Sequence, residues 1–488
     1  MGKPTGFKEY DRQLPSKRPI SERINDFDEI YQPFSKEKLI TQAARCMDCG
    51  VATCMAGCPL GNLIPEWNDL VYHKRWKEAY LRLSETNNFP EFTGRLCPAP
   101  CEEACVLGIN NEPVTIEEIE KQIVEHAFEK GWITPQIPEK RSGKKVAIIG
   151  SGPAGLACAQ QLNRAGHWVT IFEQDDRSGG LLRYGIPDFK MHRNILERRI
   201  NLLVDEGITI KTGLVIGKDI NRNDLAQFDA VVFCTGASVP RDLGIPGRDL
   251  SGIVFAMDFL SQQNRRVADP TDEFTEIDPI VATDKDVIII GGGDTGSDCV
   301  GTALRQKARS VISFQYSDQP PEERPANQPW PYWPMRLRST SSHEEGGQRL
   351  FRIYTKRFVG KDGKITGLET VTLQPDSRPR SGQPLAIVPG SEKIWPADLV
   401  ILAIGFVGTE TNAALTAYGL KLDHQGNIPT NDQYMTAIPG VFAAGDARRG
   451  QSLIVRAISE GREAARNVDI FLTGKSDLPG KQCCDLTS

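Results

Sequence analysis

The sequence predicts an α/β protein in which two similar strand–turn–helix units are nested in one chain behind a cysteine-rich helical segment. Three observations carry this. A G-x-G-x-x-G turn between an apolar strand and a helix occurs twice, at Gly150–Gly155 and at Gly291–Gly296. Each copy closes further along on a similar strand, FDAVVFCTGA (228–237) and ADLVILAIGF (397–406). Ahead of both, seven of the twelve cysteines fall between Cys46 and Cys105. Internal duplication is weighed before local detail because it sets the whole architecture.

At 488 residues the chain exceeds a single core, and about three domains are expected. Apolar residues make up 39%, charged residues 25%, and the net charge is −5, so nothing in the composition points to nucleic acid or an anionic membrane. The longest apolar run, LVILAIGFVG (399–408), is far short of a membrane span. The start MGKPTGFKEY is polar and does not read as a signal peptide, and Gly6 stands where myristoylation needs Ser or Thr. A cytoplasmic protein is expected. Thiols stay reduced there, which makes the cysteines metal ligands and core residues rather than disulfides.

Residues 1 to about 35 are polar and irregular, expected to wrap the surface or meet a partner. Ser35 then caps a short helix running to Arg45. The first cysteine group follows, RCMDCGVATCMAGCP, with Cys46, Cys49, Cys54 and Cys58; the second, RLCPAPCEEAC, holds Cys97, Cys101 and Cys105. Apolar residues at helical spacing (Trp67, Leu70, Val71, Trp76, Tyr80, Leu81, Leu83) predict a helical connection between them. Thr115 to Lys130 predicts another helix, with Thr115 and Glu118 as a capping box and Gly131 as its stop. Residues 132–143 are proline-rich and polar and read as a linker.

Soft thiolates this close together select zinc or iron–sulfur. Closed zinc sites favour paired C-x2-C groups, and only Cys46 and Cys49 have that spacing. The first run, ending in Cys58-Pro59, is similar to ferredoxin-type cluster binding, in which the last cysteine serves a second cluster. Seven cysteines suit two four-iron clusters with one non-cysteine ligand. Cys158, Cys234 and Cys299 sit inside apolar stretches and are expected in the core. Cys483 and Cys484 lie in a polar tail and receive no role.

In the first unit Gly150 makes the tight turn, Gly152 lets a pyrophosphate approach, and Gly155 lets helix pack on strand. Pro153 and Ala154 open the helix, whose first N–H groups and dipole favour phosphate. Glu173 ends the second strand, where an acid accepts from a ribose hydroxyl. Gly180 and Gly236, in later turns, join this site. The second unit repeats the pattern with Gly291, Gly293, Asp294, Thr295 and Gly296, and its second strand ends at Gln315. Two such sites imply two dinucleotides, most simply FAD and a nicotinamide. A neutral Gln315 with no arginine directly following favours NADH over NADPH.

Near the C-terminus, IPGVFAAGDARRG (438–450) ends a strand in Gly445-Asp446, and a helix follows. This resembles the second FAD fingerprint of two-dinucleotide flavoproteins, where the aspartate binds the ribityl chain. The resemblance assigns FAD to the first unit and NAD(P)H to the inserted second unit. The order of segments resembles the small subunits of glutamate synthases, the N-terminal part of dihydropyrimidine dehydrogenase, and the large subunit of NADH-dependent ferredoxin:NADP oxidoreductase. The opening GKPTGFKEYDRQLPSKRP and RINDFDEIY look like the glutamate synthase branch.

That resemblance implies two nested Rossmann-like dinucleotide-binding domains preceded by an α-helical iron–sulfur domain. It divides the chain into 1–142 (two [4Fe-4S] clusters), 143–283 (FAD, first part), 284–407 (NAD(P)), 408–475 (FAD, completion) and a tail, 476–488. It implies that Cys46, Cys49, Cys54 and Cys105 hold one cluster, while Cys58, Cys97 and Cys101 hold the other. Glu120 matches the place of a glutamine ligand in dihydropyrimidine dehydrogenase; it otherwise reads as one of several solvated helix acids with Glu117, Glu118 and Glu125. The implied partner is a glutamate synthase large subunit, and the implied role is electron input from NADH or NADPH to the conversion of L-glutamine and 2-oxoglutarate to two L-glutamate. The alternative is a subunit of an NAD(P)H–ferredoxin transhydrogenase. The Pro/Trp-rich stretch 318–343 is left between covering the nicotinamide site and packing on the surface.

Overall fold

The computed structural model describes residues 2–269, 279–377, 384–410 and 413–481. Four strands open the first sheet: β1 (Lys145–Ile149), β2 (Trp168–Phe172), β3 (Thr209–Lys211) and β4 (Ala230–Phe233). All pair in parallel, which requires crossovers, and helix Pro153–Arg164 makes the first. After its first residue β1 is buried throughout, as a strand covered on both faces must be.

The second sheet uses β5 (Ile253–Phe255), β6 (Asp286–Ile290), β7 (Ser310–Phe314) and β8 (Gln348–Leu350). A three-stranded antiparallel sheet follows: β9 (Ile353–Lys361), β10 (Lys364–Thr372) and β11 (Lys393–Pro396). Then β12 (Leu399–Leu402) returns to the second sheet, and β13 (Val441–Ala443) to the first. The orders are β13-β4-β1-β2-β3 and β5-β12-β6-β7-β8. The duplication is therefore physical: in each unit the closing strand, β4 or β12, lies beside the strand that enters the glycine turn.

The boundary expected at 284 is corrected by the pairing. Ile253 of β5 lies opposite Val400 of β12, and helix Ala256–Ala268 packs with this sheet, so the inserted unit begins before β5. A three-residue edge strand carries too little periodicity to be read from sequence.

Residues ahead of β1 form a helical layer packed on helices Pro153–Arg164 and Ile454–Thr473, within one continuous core. The Ser35 hydroxyl accepts from Lys38 N at 3.2 Å and caps helix Lys36–Ala43. The helical connection is broken in two, Ile64–Tyr72 and Trp76–Thr86, with Lys74 at φ +62° between them. The break lets Trp67, Val71, Ala79 and Leu83 share one core. The capping box expected at helix Ile116–Glu129 does not form. Buried Thr115 instead donates to the Gln13 carbonyl or Gln42 Oε1, each at 3.2 Å, while Glu118 pairs with Lys121 and Gln122. Tertiary partners outcompete the local motif. The N-terminal segment wraps onto the second unit, where Arg23 and Arg305 share the buried Glu345. Cys483 and Cys484 lie outside the described residues.

Candidate functional site

The seven cysteines between Cys46 and Cys105 divide by their surroundings. Cys46, Cys49, Cys54 and Cys105 line one cavity, with Ile64, Val114 and Ile116 among its apolar walls. Three local features shape it. Asp48 takes φ +50°, turning the chain between Cys46 and Cys49. Thr53 Oγ1 donates to the Ala104 carbonyl at 2.5 Å, joining the two cysteine segments. A Cβ at Gly57 would lie 2.5 Å from the Ala104 side chain, so only glycine lets helix Thr53–Gly57 approach helix Pro100–Glu103 this closely.

The other three cysteines form a second group. Burial raises the Cys101 thiol well above its ordinary range, and Cys58 and Cys97 add to that rise. On Cys54, by contrast, the neighbours that add to burial are Cys105, Cys46 and Cys49. Burial pushes both Cys46 and Cys58 up to about 12. Thiols held protonated by burial are poor nucleophiles, yet they suit metal ligation, because a bound cation removes the proton. Among the described residues no three His, Cys, Asp or Glu side chains converge as tightly as a single ion demands. Four cysteine side chains lining one cavity are a donor set that soft-metal centres use.

Glu120 faces the second group and adds to the rise of Cys58, Cys97 and Cys101. It is 6% exposed, and burial lifts its carboxyl to about 7 against the pull of its donors. Asn62 Nδ2 donates to it at 3.0 Å, Asn87 Nδ2 at 3.1 Å, and Thr93 Oγ1 also donates. The solvated reading fails for Glu118 and Glu120, which are buried, and Glu117 and Glu125 are half-buried. Glu118 pairs with Lys121; Glu125 with Arg95 and Arg198; and Glu117, raised by burial and then by Glu102, stands near Cys97. Glu117 is the acid that sequence reasoning passed over; its place one turn before Glu120 was the available signal.

The glycine turns are two versions of one construction. A Cβ on Gly150 would meet the Cys234 carbonyl at 2.5 Å, and one on Gly155 the Gly150 carbonyl at 2.1 Å. At Gly152 and Gly293 an added Cβ would meet nothing within 4 Å. Open space therefore faces two helix N-termini that no side chain caps, the cradle a pyrophosphate fits. Pro153 and Ala154 open the first helix; Asp294 and Thr295 open the second. Gly180 takes φ +54° beside Gly152, and Gly236 φ +72° after β4.

Glu173 accepts from Ser151 N at 2.9 Å and Asp175 N at 3.0 Å, which holds its carboxylate against the first turn. Gly445 N donates to Glu460 at 2.9 Å, and Ser452 Oγ to Asp446 at 2.7 Å. Burial raises the Asp446 carboxyl to about 6. Helix Ile454–Thr473 crosses the first unit so tightly that a Cβ on Gly461 would meet the Ala154 carbonyl at 2.2 Å. Thirteen residues beyond Asp446, in helix Ile454–Thr473, Ser459 Oγ donates to the Pro59 carbonyl at 2.9 Å. The Gly445-Asp446 segment is thereby tied to the residue after Cys58.

In the second unit Gln315 leans over the turn: a Cβ on Gly292 would lie 1.9 Å from its amide carbon. With its amide oxygen facing Arg349, Gln315 accepts from Nε at 2.7 Å and Nη2 at 3.2 Å. Sequence reasoning looked for an arginine directly after the strand and missed this one. It comes from β8, whose Arg349 lies opposite Ser313 of β7.

These features define a two-dinucleotide oxidoreductase fold fronted by a cysteine-rich domain. Residues 23–132 match the family model described as dihydropyrimidine dehydrogenase domain II, 4Fe-4S cluster. Residues 144–328 and 355–461 match pyridine nucleotide-disulphide oxidoreductase. The structure of FprA from Mycobacterium tuberculosis in complex with NADPH superposes with a TM-score of 0.52 at 18% identity, covering 68% of this chain and 85% of that one, a likeness of fold. The glutamate synthase [NADPH] small chain of Mycobacterium tuberculosis is 52% identical over 98% of both chains. The glutamate synthase [NADH] of Schizosaccharomyces pombe is 47% identical over 98% of this chain and 23% of its own length. The chain belongs to the glutamate synthase small-chain family.

Proposed function

We propose that this chain is the electron-input subunit of a glutamate synthase, working in the cytoplasm. It oxidises NADH or NADPH at the second unit and delivers the electrons, through FAD in the first unit and two [4Fe-4S] clusters, to a large subunit. That subunit converts L-glutamine and 2-oxoglutarate to two L-glutamate. The observation that carries the reading is the tie between Ser459 and Pro59, which joins the segment completing the first unit to the second cysteine group.

When bound, the flavin supplies the conversion of a two-electron hydride into single electrons. The residues of the chain bind and orient. The N-terminus of helix Pro153–Arg164, with Gly150, Gly152 and Gly155, takes the FAD pyrophosphate; Glu173 takes a ribose hydroxyl; Asp446 takes the ribityl chain. The N-terminus of helix Asp294–Arg305 takes the nicotinamide dinucleotide. Cys58, Cys97, Cys101 and Glu120 hold the cluster on the flavin side. Cys46, Cys49, Cys54 and Cys105 hold the one farther along, and the cysteine-rich domain faces the large subunit. The Schizosaccharomyces relative supports that partnership, because its matching region is part of a chain about four times as long. Hydride transfer itself needs no side-chain nucleophile or general base.

Two observations bear on the donor. The neutral Gln315 supports NADH. Arg349 beside it offers a 2′-phosphate a guanidinium, which supports NADPH. An anaerobic titration of the purified chain with each nucleotide tests the whole reading. Bleaching of the flavin with matching loss of iron–sulfur absorbance is expected, and the nucleotide acting at lower concentration is the donor. A chain that binds no flavin would overturn the proposal. Efficient reduction of a ferredoxin, without support of glutamate formation by the large subunit, would move it to the transhydrogenase alternative.

A further inference from the structure

The Pro/Trp-rich segment neither simply covers the nucleotide site nor lies idle on the surface. It crosses from the second unit to the cysteine domain. One end is anchored beside the second glycine turn: Thr340 and Ser297 share a hydrogen bond of 2.5 Å, and the Arg338 carbonyl accepts from Arg349 Nη1 at 3.0 Å. From there three arginines reach one carboxylate. Arg336 lies 2.5 Å, Arg338 3.1 Å and Arg324 3.3 Å from Glu103. Arg324 also donates to the Glu103 carbonyl at 3.0 Å. It braces the loop from within through the carbonyls of Gln328 and Tyr332. At the tip, the Trp330 indole N–H donates to the carbonyl of Cys105 at 3.2 Å. Gly108 N donates to the same oxygen at 2.9 Å, so Trp330 takes its second lone pair.

We propose that this segment is a strap in which Trp330 and Glu103 act as positioning residues for Cys105, and so for the cluster held by Cys46, Cys49, Cys54 and Cys105. The inference rests on the cluster reading above and adds to it a source of control from the nicotinamide-binding unit. Glu103 and Cys105 stand at the end of one short helical turn, and three guanidiniums on Glu103 fix that turn from outside. The indole N–H offsets negative charge at the Cys105 carbonyl. Reduction adds an electron to the cluster, so a donor there favours the reduced form; outer hydrogen bonds of this kind tune metal sites and their potentials. Without Trp330 the cluster becomes harder to reduce.

The test uses the full chain with flavin and clusters in place, comparing Trp330→Phe, Glu103→Gln and the unaltered protein. Trp330→Phe keeps an aromatic ring at the tip of the strap while removing the N–H together with the five-membered ring that carries it. The readouts are the low-temperature electron paramagnetic resonance spectrum, iron per chain, and the fraction of each cluster reduced at a fixed solution potential. Both variants are expected to change the spectrum of one cluster only and to lower its reduced fraction about threefold. Reduction of the flavin by nicotinamide nucleotide stays within about twofold. Loss of iron confined to one cluster also supports the strap. Spectra and titrations unchanged in Trp330→Phe would overturn it, as would equal changes in both clusters. An unaltered chain with no cluster signal would instead count against the cluster reading itself.

Discussion

In the first nucleotide unit the glycine turn and the acid after β2 are one hydrogen-bonded piece, since Glu173 accepts from the backbone at Ser151 and at Asp175. In the second unit the same place after β7 is held by Gln315, which leans over Gly292 and meets an arginine from the next strand. The turns also differ in tightness. The Cβ position of Gly155 is 2.1 Å from the Gly150 carbonyl, whereas that of Gly296 is 2.9 Å from the Gly291 carbonyl. The shared motif leaves an open, uncapped helix N-terminus in both units, while the side chains around it differ and come from other segments.

The largest effect separates the units directly. Gly155→Val should abolish flavin retention, because the new side chain must displace strand or helix. Gly296→Val should leave the flavin in place and remove its reduction by nucleotide; visible spectra with and without NAD(P)H check both. Equal flavin loss in the two variants would break the comparison.

A smaller effect tests how the first unit is fixed to the cysteine domain. Arg199 Nη2 donates to Glu91 at 3.0 Å, both buried, so Arg199→Met strands a charge. A loss of about 3–5 kcal/mol is expected in denaturant unfolding, with a lowered midpoint. No such contact is tested by Gln315→Arg, which addresses recognition alone. It should raise the NADPH/NADH ratio of kcat/KM about tenfold, the worth of one charge-assisted hydrogen bond; an unchanged ratio would move the reading of the ribose to Arg349.

The smallest effect concerns Asp175, raised to about 6 by burial and then by Glu173. Between its unfolded value of 3.8 and that raised value, the native chain binds more protons than the unfolded one. Stability should therefore fall as pH rises from about 4 to 6, and Asp175→Asn should flatten that slope. Urea midpoints of the two proteins at the ends of this window give the answer.

Much of this was legible in the residues. Both glycine turns, the closing strands and the Ser35 cap depend on short-range chemistry, and each formed where its residues stand. The capping box at Thr115 failed because a buried hydroxyl found Gln13 and Gln42, 102 and 73 residues away along the chain and beyond any local rule. The same reason explains the missed edge strand β5, whose three residues mean nothing until Val400 lies beside Ile253. Glu117 was passed over because helix position alone does not tell a solvated acid from one standing by Cys97.

By itself the sequence determined the kind of protein: two dinucleotide cradles, a Gly-Asp completion, and thiols spaced for clusters, all written as residue types at short fixed spacings. Only the tertiary structure decided that Arg349 joins Gln315 and that Trp330 reaches the Cys105 carbonyl. The division follows from physics. Turn geometry, caps and ligand spacing are set within one or two turns of chain. Charge pairing and hydrogen bonds between distant segments exist only once packing has brought those segments within about 3 Å.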